Sequence, residues 1–249
     1  MRAFLIAGLA LASAGARTAA AQDLGTRITA AHADRVSFTF DHKPGVCGCG
    51  DNVNFRGPGA VRDDDDSCAD GPVRVTLDLT GGAVTRVKMR VGEHAPAGAT
   101  DLGGVEPAQA ADWLLALAAK GAGRASEEAV MPAVLAKEVV TWPRLAAMAK
   151  DQSLREGTRK QAIFWLGQEA ADQAVGSLTD LVDDDPDHAV RETALFALSQ
   201  QRSDHAIDVL IRVARSNPDL KLRRTAFFWL GQSGDPRGVA LFEEVLAGR

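Results

Sequence analysis

Three cysteines are the residues of this 249-residue chain whose type and spacing most directly suggest chemistry. Cys47 and Cys49 form a C-x-C pair, and Cys68 follows at the far end of a segment rich in Gly, Asp and Asn. A disulfide from Cys68 to either member of the pair would close a loop of about 20 residues, and such loops stabilise a fold by roughly 3 kcal/mol. We predict the Cys47–Cys68 bond. Because the number of cysteines is odd, one thiol is left over or pairs between molecules.

The same loop suggests two other sites, both of which we consider weaker. His42 and the three cysteines have the ligand types of a zinc site, but they lack the C-x-x-C spacing of common structural sites. A redox-active C-x-C pair would close a strained, easily reduced ring, and no thioredoxin-like βαβ pattern surrounds it. The acidic runs at 63–66 and 183–185 lack the ligand spacing of an EF-hand loop, so we expect them to be solvated.

Motifs that would indicate an enzyme are missing from the sequence. The five histidines show no H-E-x-x-H spacing, and neither a phosphate-binding glycine loop nor a G-x-S-x-G nucleophile motif occurs. No nucleophile stands beside a visible base. We therefore predict a non-enzymatic protein without catalytic residues, resident metal or cofactor.

The cysteine loop lies in a segment with the alternating pattern of β-strands. Apolar and polar residues alternate at 36–40, 73–79 and 87–91. Such alternation is typical of strands with one buried face, and Gly81-Gly82 fits a tight hairpin turn between the last two runs. We predict a small antiparallel β-rich domain over residues 22–92, stapled by the disulfide. Residues 93–105, rich in Gly and Pro, are predicted to be a linker.

An export signal is predicted over residues 1–21. Arg2 supplies the positive start, residues 3–16 carry no charge, and Ala19-Ala20-Ala21 offers a small-x-small cleavage site. The apolar run is too short, and too rich in Ala and Gly, for a transmembrane helix, so no membrane insertion is expected after cleavage. We expect the mature protein to be periplasmic or secreted, where disulfides form.

A repeat of 32 residues dominates the second half of the chain. The strings AIFWLGQ, ALFALSQ and AFFWLGQ begin at Ala162, Ala194 and Ala226. A period of this size is typical of helix pairs that stack into a solenoid, because each pair buries its apolar face only against its neighbours. We therefore predict an α+β fold in which an α-helical solenoid occupies residues 106–249. Its clear units are predicted at about 155–185, 186–217 and 218–248.

The repeated strings also resemble a known family. Residues 190–198 and 222–230 resemble the first helix of HEAT repeats, especially the short bacterial type also found in phycobilisome lyases. The strings FWLGQ and LFALSQ, with Gly-Asp-Pro-Arg at 234–237, resemble exported bacterial HEAT-repeat proteins. The resemblance covers roughly residues 106–248 and implies protein–protein interaction. Lyase activity is not implied, because the repeat itself carries no lyase chemistry.

Further residues repeat with the same spacing. They are Phe164, Phe196 and Phe228, and Gln168, Gln200 and Gln232. We expect the phenylalanines to pack between repeats rather than form an exposed binding strip, and the glutamines to cap or bridge the ends of the first helices. Arg191 follows Asp187 by four residues, and Arg223 follows Asp219 in the same way, which favours ion pairs within each helix.

Net charge and composition narrow the choice of partner. The net charge of −5 and the small number of aromatic residues argue against nucleic acid. We predict a protein–protein interaction scaffold or adaptor that binds a protein or peptide on the face of the second helices. The polar residues expected there are Gln173, Asp180, His205, Asp208 and Arg212. The alternative is a metal-binding or thiol-redox protein with its site in the loop from Cys47 to Cys68.

Overall fold

A computed structural model gives the fold of the chain. It describes residues 23–49, 52–55, 70–121, 123–169, 171–201 and 203–248. The predicted export signal, the acidic run at 63–66 and Cys68 lie outside the described residues. Among the helices that are described, none is both long and apolar enough to cross a membrane.

Six strands occupy the N-terminal part of the described chain. They are β1 (Arg35–Phe40), β2 (Val46–Cys49), β3 (Asn52–Phe55), β4 (Val73–Thr80), β5 (Ala83–Val91) and β6 (Thr100–Gly104). Four of them form one sheet in the order β5-β4-β1-β6, and β2 pairs with β3 in a separate hairpin. The pairs β4–β5 and β1–β4 are antiparallel. The turn at Gly81 and Gly82, both with positive φ, joins β4 to β5.

The sheet corrects two of the sequence predictions. β6 pairs parallel with β1, so the sheet is mixed rather than antiparallel. β6 also lies within residues 93–105, which the sequence had suggested were a linker. Thr100–Gly104 contains a single large apolar residue, Leu102, and therefore lacks the alternation by which strands are recognised. It becomes a strand because the edge of β1 offers it backbone partners.

Eleven helices are present among the described residues. They are α1 (Leu24–Ala30), α2 (Pro107–Lys120), α3 (Arg124–Glu128), α4 (Val130–Val134), α5 (Trp142–Lys150), α6 (Glu156–Glu169), α7 (Ala171–Asp184), α8 (His188–Ser199), α9 (Asp204–Ser216), α10 (Leu220–Ser233) and α11 (Pro236–Leu246). The three sequence repeats form the helix pairs α6/α7, α8/α9 and α10/α11. In each pair we call the earlier helix the first helix and the later one the second helix.

Side-chain caps explain where the repeated helices begin. The caps of α8, α9, α10 and α11 accept hydrogen bonds from backbone N–H groups of the first turn; they are Asp187, Ser203, Asp219 and Asp235. Such caps satisfy donors that no earlier residue of the helix can reach. Pro186 and Pro218 precede two of the caps and prevent the second helix from continuing. The break between repeats is therefore encoded locally.

One continuous hydrophobic core joins the sheet to the helices. Phe38 of β1 is fully buried and meets Trp113 of α2 edge-on, with ring centroids 6.3 Å apart. A backbone hydrogen bond of 2.8 Å from Lys43 N–H to the Leu135 carbonyl also connects the two parts. The sheet therefore covers α2 and the start of the helical part.

Candidate interaction surface

The exposed side of the second helices carries charged residues that pair from one repeat to the next. The pairs are Lys150–Asp180 at 2.7 Å, Asp183–Arg212 at 2.9 Å and Arg215–Glu244 at 2.5 Å. Arg237 of α11 also reaches Asp204 at 2.8 Å and Asp208 at 3.0 Å, both on α9. Exposed pairs of this kind contribute about 0–1 kcal/mol each. Their main effect is to cover this surface with charge while linking neighbouring helices.

This charged surface contains the residues that the sequence suggested for binding. Asp180, Asp208 and Arg212 all belong to the ion pairs between helices. His205 is exposed in the first turn of α9. Gln173 lies in α7, and its side chain is outside the described part of the structure. A partner at this face would therefore meet Asp180, Asp208 and Arg212 already paired with counter-charges.

A groove of about 700 Å³ opens beside the same face, where the turn between α8 and α9 lies next to the turn between α10 and α11. Trp229 supplies a half-buried ring to its wall. The polar lining includes Ser199, Gln200, Ser203, Asp204, Gln232 and Asp235. Amides and hydroxyls of this kind can hydrogen-bond to the backbone of an extended peptide, while the ring offers an apolar contact.

Aromatic rings form a ladder along the first helices. Phe164 stacks on Phe196 with ring centroids 6.2 Å apart, and Phe196 packs on Trp229 at 5.0 Å. Trp229 in turn meets Phe228 edge-on at 4.8 Å. The expected packing between repeats is confirmed for Phe164 and Phe196, which are half-buried. Phe228 ends the ladder and is 56% exposed.

With this geometry in place, one comparison with known families bears on the helical part. Residues 142–228, from α5 into α10, match the family model of HEAT repeats. The helices of this segment are therefore similar to HEAT repeats. No curated protein is significantly similar to the chain.

A buried ion pair joins α6 to the segment that follows α7. Arg159 of α6 and Asp185, which follows α7, are in direct contact, and both side chains are almost completely buried. Arg159 Nε also donates to the Ala149 carbonyl at 3.0 Å, and an oxygen of Asp185 accepts from Asp187 N–H at 2.9 Å. The expectation that the run 183–185 is solvated was therefore wrong for Asp185. A run of three carboxylates usually lies in solvent. Asp185 is buried because the fold places the buried Arg159 guanidinium next to it.

The structure also corrects the predicted pairing of Arg191. Asp187 caps α8 by accepting from Ala189 N–H at 2.9 Å instead of pairing with Arg191 within the helix. Arg191 Nε donates to the Val182 carbonyl at 3.0 Å, and its Nη1 lies 3.8 Å from Asp219 of the next repeat. The arginine therefore links repeats, because the carboxylate four residues earlier is held by the backbone.

Among the glutamines, the residue that bridges two repeats is one that the repeat pattern did not single out. Gln201 is buried and donates its side-chain N–H to the Gly167 carbonyl at the end of α6. Gln200 is exposed and donates to Ser199 Oγ at 3.2 Å. Gln168 and Gln232 are exposed as well. Of the exposed glutamines, Gln200 and Gln232 line the groove and are thus available to a ligand there.

The loop with the cysteines offers little to a metal in the part that is described. Both ring nitrogens of His42 face backbone carbonyl oxygens, Nδ1 that of Lys43 at 2.7 Å and Nε2 that of Gly71 at 2.9 Å. A zinc ligand must direct an unshared nitrogen pair at the ion, which this arrangement does not provide. No group of three or more possible ligands occurs among the described residues. Cys47 lies half-buried in β2.

Acid should weaken the sheet through Asp78. Hydrogen bonds from Arg35 at 2.6 Å and Lys88 at 2.9 Å lower the pKa of this carboxyl below its usual value. The stabilisation is present above the unfolded pKa of Asp, about 3.9, and is lost as the pH falls through the lower folded pKa. We expect Asp78→Asn to reduce the drop in melting temperature between pH 7 and pH 2.5. Asp184→Asn, at an exposed carboxylate, is the control and should leave the drop as in the wild type; an equal drop in all three proteins would contradict the prediction.

Proposed function

We propose that this protein is a non-enzymatic adaptor that binds a protein or peptide through its HEAT repeats, in the periplasm or outside the cell. The observation that carries the proposal is the match of residues 142–228 to HEAT repeats, which generally serve as protein-interaction scaffolds. Stacked repeats present extended surfaces on which a partner can be bound over several helices.

The groove beside the second helices supports a peptide ligand best. It has one aromatic wall, exposed amides from Gln200 and Gln232, and the carboxylate of Asp204, which is almost fully exposed. The nearby His205 and Asp208 extend the same surface along α9. An extended segment with an apolar side chain against Trp229 would satisfy this combination of amides and ring, while Asp204 keeps its pair with Arg237.

A comparative capture experiment tests the adaptor function. Tagged wild-type protein is incubated with an envelope extract of the source organism, and the bound partner is identified and quantified. Gln232→Lys combined with His205→Glu should reduce the amount of that partner at least tenfold, which corresponds to about 1.4 kcal/mol. Gln152→Lys, at an exposed site after α5, is the matched control and should retain it. Equal capture of every specific partner by the double variant would overturn the proposed site.

Export and the Cys47–Cys68 disulfide are part of the same proposal. The pattern of residues 1–21 supports export, and the spacing of Cys47 and Cys68 supports a cystine that closes this loop. The neighbouring Cys49 would give only a strained C-x-C ring, which favours Cys68 as the partner. Mature protein isolated from the periplasm should start at Gln22, contain one free thiol and lack zinc. Three free thiols with one equivalent of zinc would favour the metal-binding alternative instead.

A further inference from the structure

We propose that the outer face of the last HEAT repeat, formed by α10 and α11, binds an amphipathic helix of a partner protein with an acidic residue at its N-cap. This helix would take the place that α8 has on the first repeat and α10 has on the second. The site uses residues other than those of the groove, so either proposal can fail without the other. We call this surface the end face and define it by Arg223, Phe228, Gly231, Val239 and Leu246.

Apolar side chains of the end face are exposed where their counterparts in the earlier repeats are buried. Val239 is 54% exposed and Leu246 is 87% exposed. Their counterparts one and two repeats earlier are buried; they are Ile207 and Val175 for Val239, and Ala214 and Val182 for Leu246. Val245 differs from Val213 and Leu181 in the same way. The last repeat therefore has the apolar pattern of an internal repeat.

What buries these positions in the earlier repeats is a first helix. α8 packs on both α6 and α7, and α10 packs on both α8 and α9. The apolar positions of α11 are thus shaped for a helix that lies across a complete helix pair. Exposed apolar surface with this arrangement is typical of an interaction site.

Two residues of α10 repeat the geometry of that contact. Phe228 is the exposed end of the ladder, in which Phe196 covers Phe164 and Trp229 covers Phe196. Gly167, the counterpart of Gly231 in the first repeat, is packed so closely by α8 that an added Cβ would lie 2.8 Å from the Ala197 Cβ. A Cβ on Gly231 would meet only Phe242, at 3.5 Å, in ordinary contact. Gly231 therefore leaves room for a helix to approach α10 as closely as α8 approaches Gly167.

Charge indicates the chemistry of the incoming helix. Arg159 and Arg191 occupy the same position in α6 and α8. Arg159 meets Asp185, two residues before the cap of α8, and Arg191 lies 3.8 Å from Asp219, the cap of α10. Arg223 occupies this position in α10, and Lys221 and Arg224 lie beside it. No carboxylate partner of these three cations occurs among the described residues. The contact of Arg191 with the cap Asp219 predicts an acidic cap as the partner of Arg223.

The cations also favour a helix of another protein over a second copy of this chain. A two-fold interface pairs the same face of both copies, and none of the residues that define the end face is a carboxylate, so this face of a second copy would offer Lys221, Arg223 and Arg224 no opposite charge. An acid-capped helix supplies opposite charge at that end and an apolar face for Val239, Val245 and Leu246. It thus satisfies both features of the surface.

A peptide made from the chain itself is the probe for this site. Residues 186–201, labelled with a fluorophore, contain α8 with its Asp187 cap and should bind the mature full-length protein saturably by fluorescence anisotropy. Leu246→Asp and Gly231→Gln in the protein should each weaken binding at least tenfold. Arg223→Ala should weaken binding of the unaltered peptide severalfold. When the peptide carries Asp187→Ala, Arg223→Ala in the protein should cause no additional loss of affinity. Val140→Asp, at another exposed valine, is the control and should bind like the wild type.

Gly231, Leu246 and Val140 are exposed and Arg223 is half-buried, so all protein variants should stay folded with a melting temperature close to that of the wild type, which circular dichroism checks. The proposal is overturned if Leu246→Asp and Gly231→Gln bind the peptide as the wild type does, or if the wild type does not bind it at all. It is also overturned if sedimentation shows that the protein alone is a dimer that Leu246→Asp converts to a monomer, since a second copy would then occupy the face.

Discussion

Asp185→Ala is expected to lower the free energy of unfolding by about 3–5 kcal/mol, because it leaves the buried Arg159 guanidinium without its counter-charge. Both side chains are at most 5% exposed. The carbonyl of Ala149 still accepts from Arg159 Nε, but a carbonyl dipole does not replace a carboxylate. Urea denaturation at pH 7, followed by circular dichroism, measures the loss.

Two further variants separate the buried charge from the turn. Asp185→Asn keeps the acceptor for Asp187 N–H, since Asn217 accepts from Asp219 N–H at 3.0 Å at the same place in the next repeat. We expect Asp185→Asn to be less destabilising than the alanine variant but to remain well below the wild type. Asp180→Asn breaks an exposed pair with Lys150 and should cost less than about 1 kcal/mol. A loss below 1 kcal/mol in Asp185→Ala would show that the pair adds no net stability.

The repeated helices could be predicted from the sequence because their signals are local. The spacing of apolar residues defines each buried face, and Pro186 and Pro218 mark breaks that need no tertiary contact. The aspartate caps act within three residues of their own position. For these reasons the 32-residue period leads directly to helix pairs that match HEAT repeats.

Features that depend on a neighbouring element were missed. β6 has no pattern of its own and is a strand only because β1 lies beside it. The burial of Asp185 depends on Arg159, 26 residues earlier in the chain. The partner of Arg191 likewise lies in the next repeat. In each case the sequence shows the residue but not the surface that meets it.

For the candidate surface, too, the sequence predicts what depends on local spacing and misses what depends on a neighbouring helix. Helical spacing placed Asp180, Asp208 and Arg212 on exposed positions of the second helices, and they are exposed. The same spacing does not show that each pairs with a charge on the adjacent helix. The end face could not be predicted from the sequence either, because Val239 and Leu246 are apolar like the buried residues at the same positions of the earlier repeats. Only the stacking order reveals that nothing in the described chain covers them.

Phe38→Ala is expected to destabilise the sheet and the helices together, by about 3–5 kcal/mol. Phe38 is fully buried in the core shared by both parts and packs against Trp113 of α2. Removing the ring leaves a cavity between the sheet and α2, whose Leu114 and Leu115 are also buried. Because one core serves both parts, the loss should appear in a single transition.

Thermal melts of the wild type and the variant, followed by helical circular dichroism and by tryptophan fluorescence, measure this coupling. Both probes should shift by the same amount, as two-state unfolding requires. Phe228→Ala is the matched control, since its ring is 56% exposed and its removal should cost far less. Separate transitions, with only one of them shifted by Phe38→Ala, would mean that the sheet and the helical repeats unfold independently. A single shared shift would instead make the sheet the N-terminal cap of the helical repeats, because Phe38 of β1 packs on Trp113 of α2.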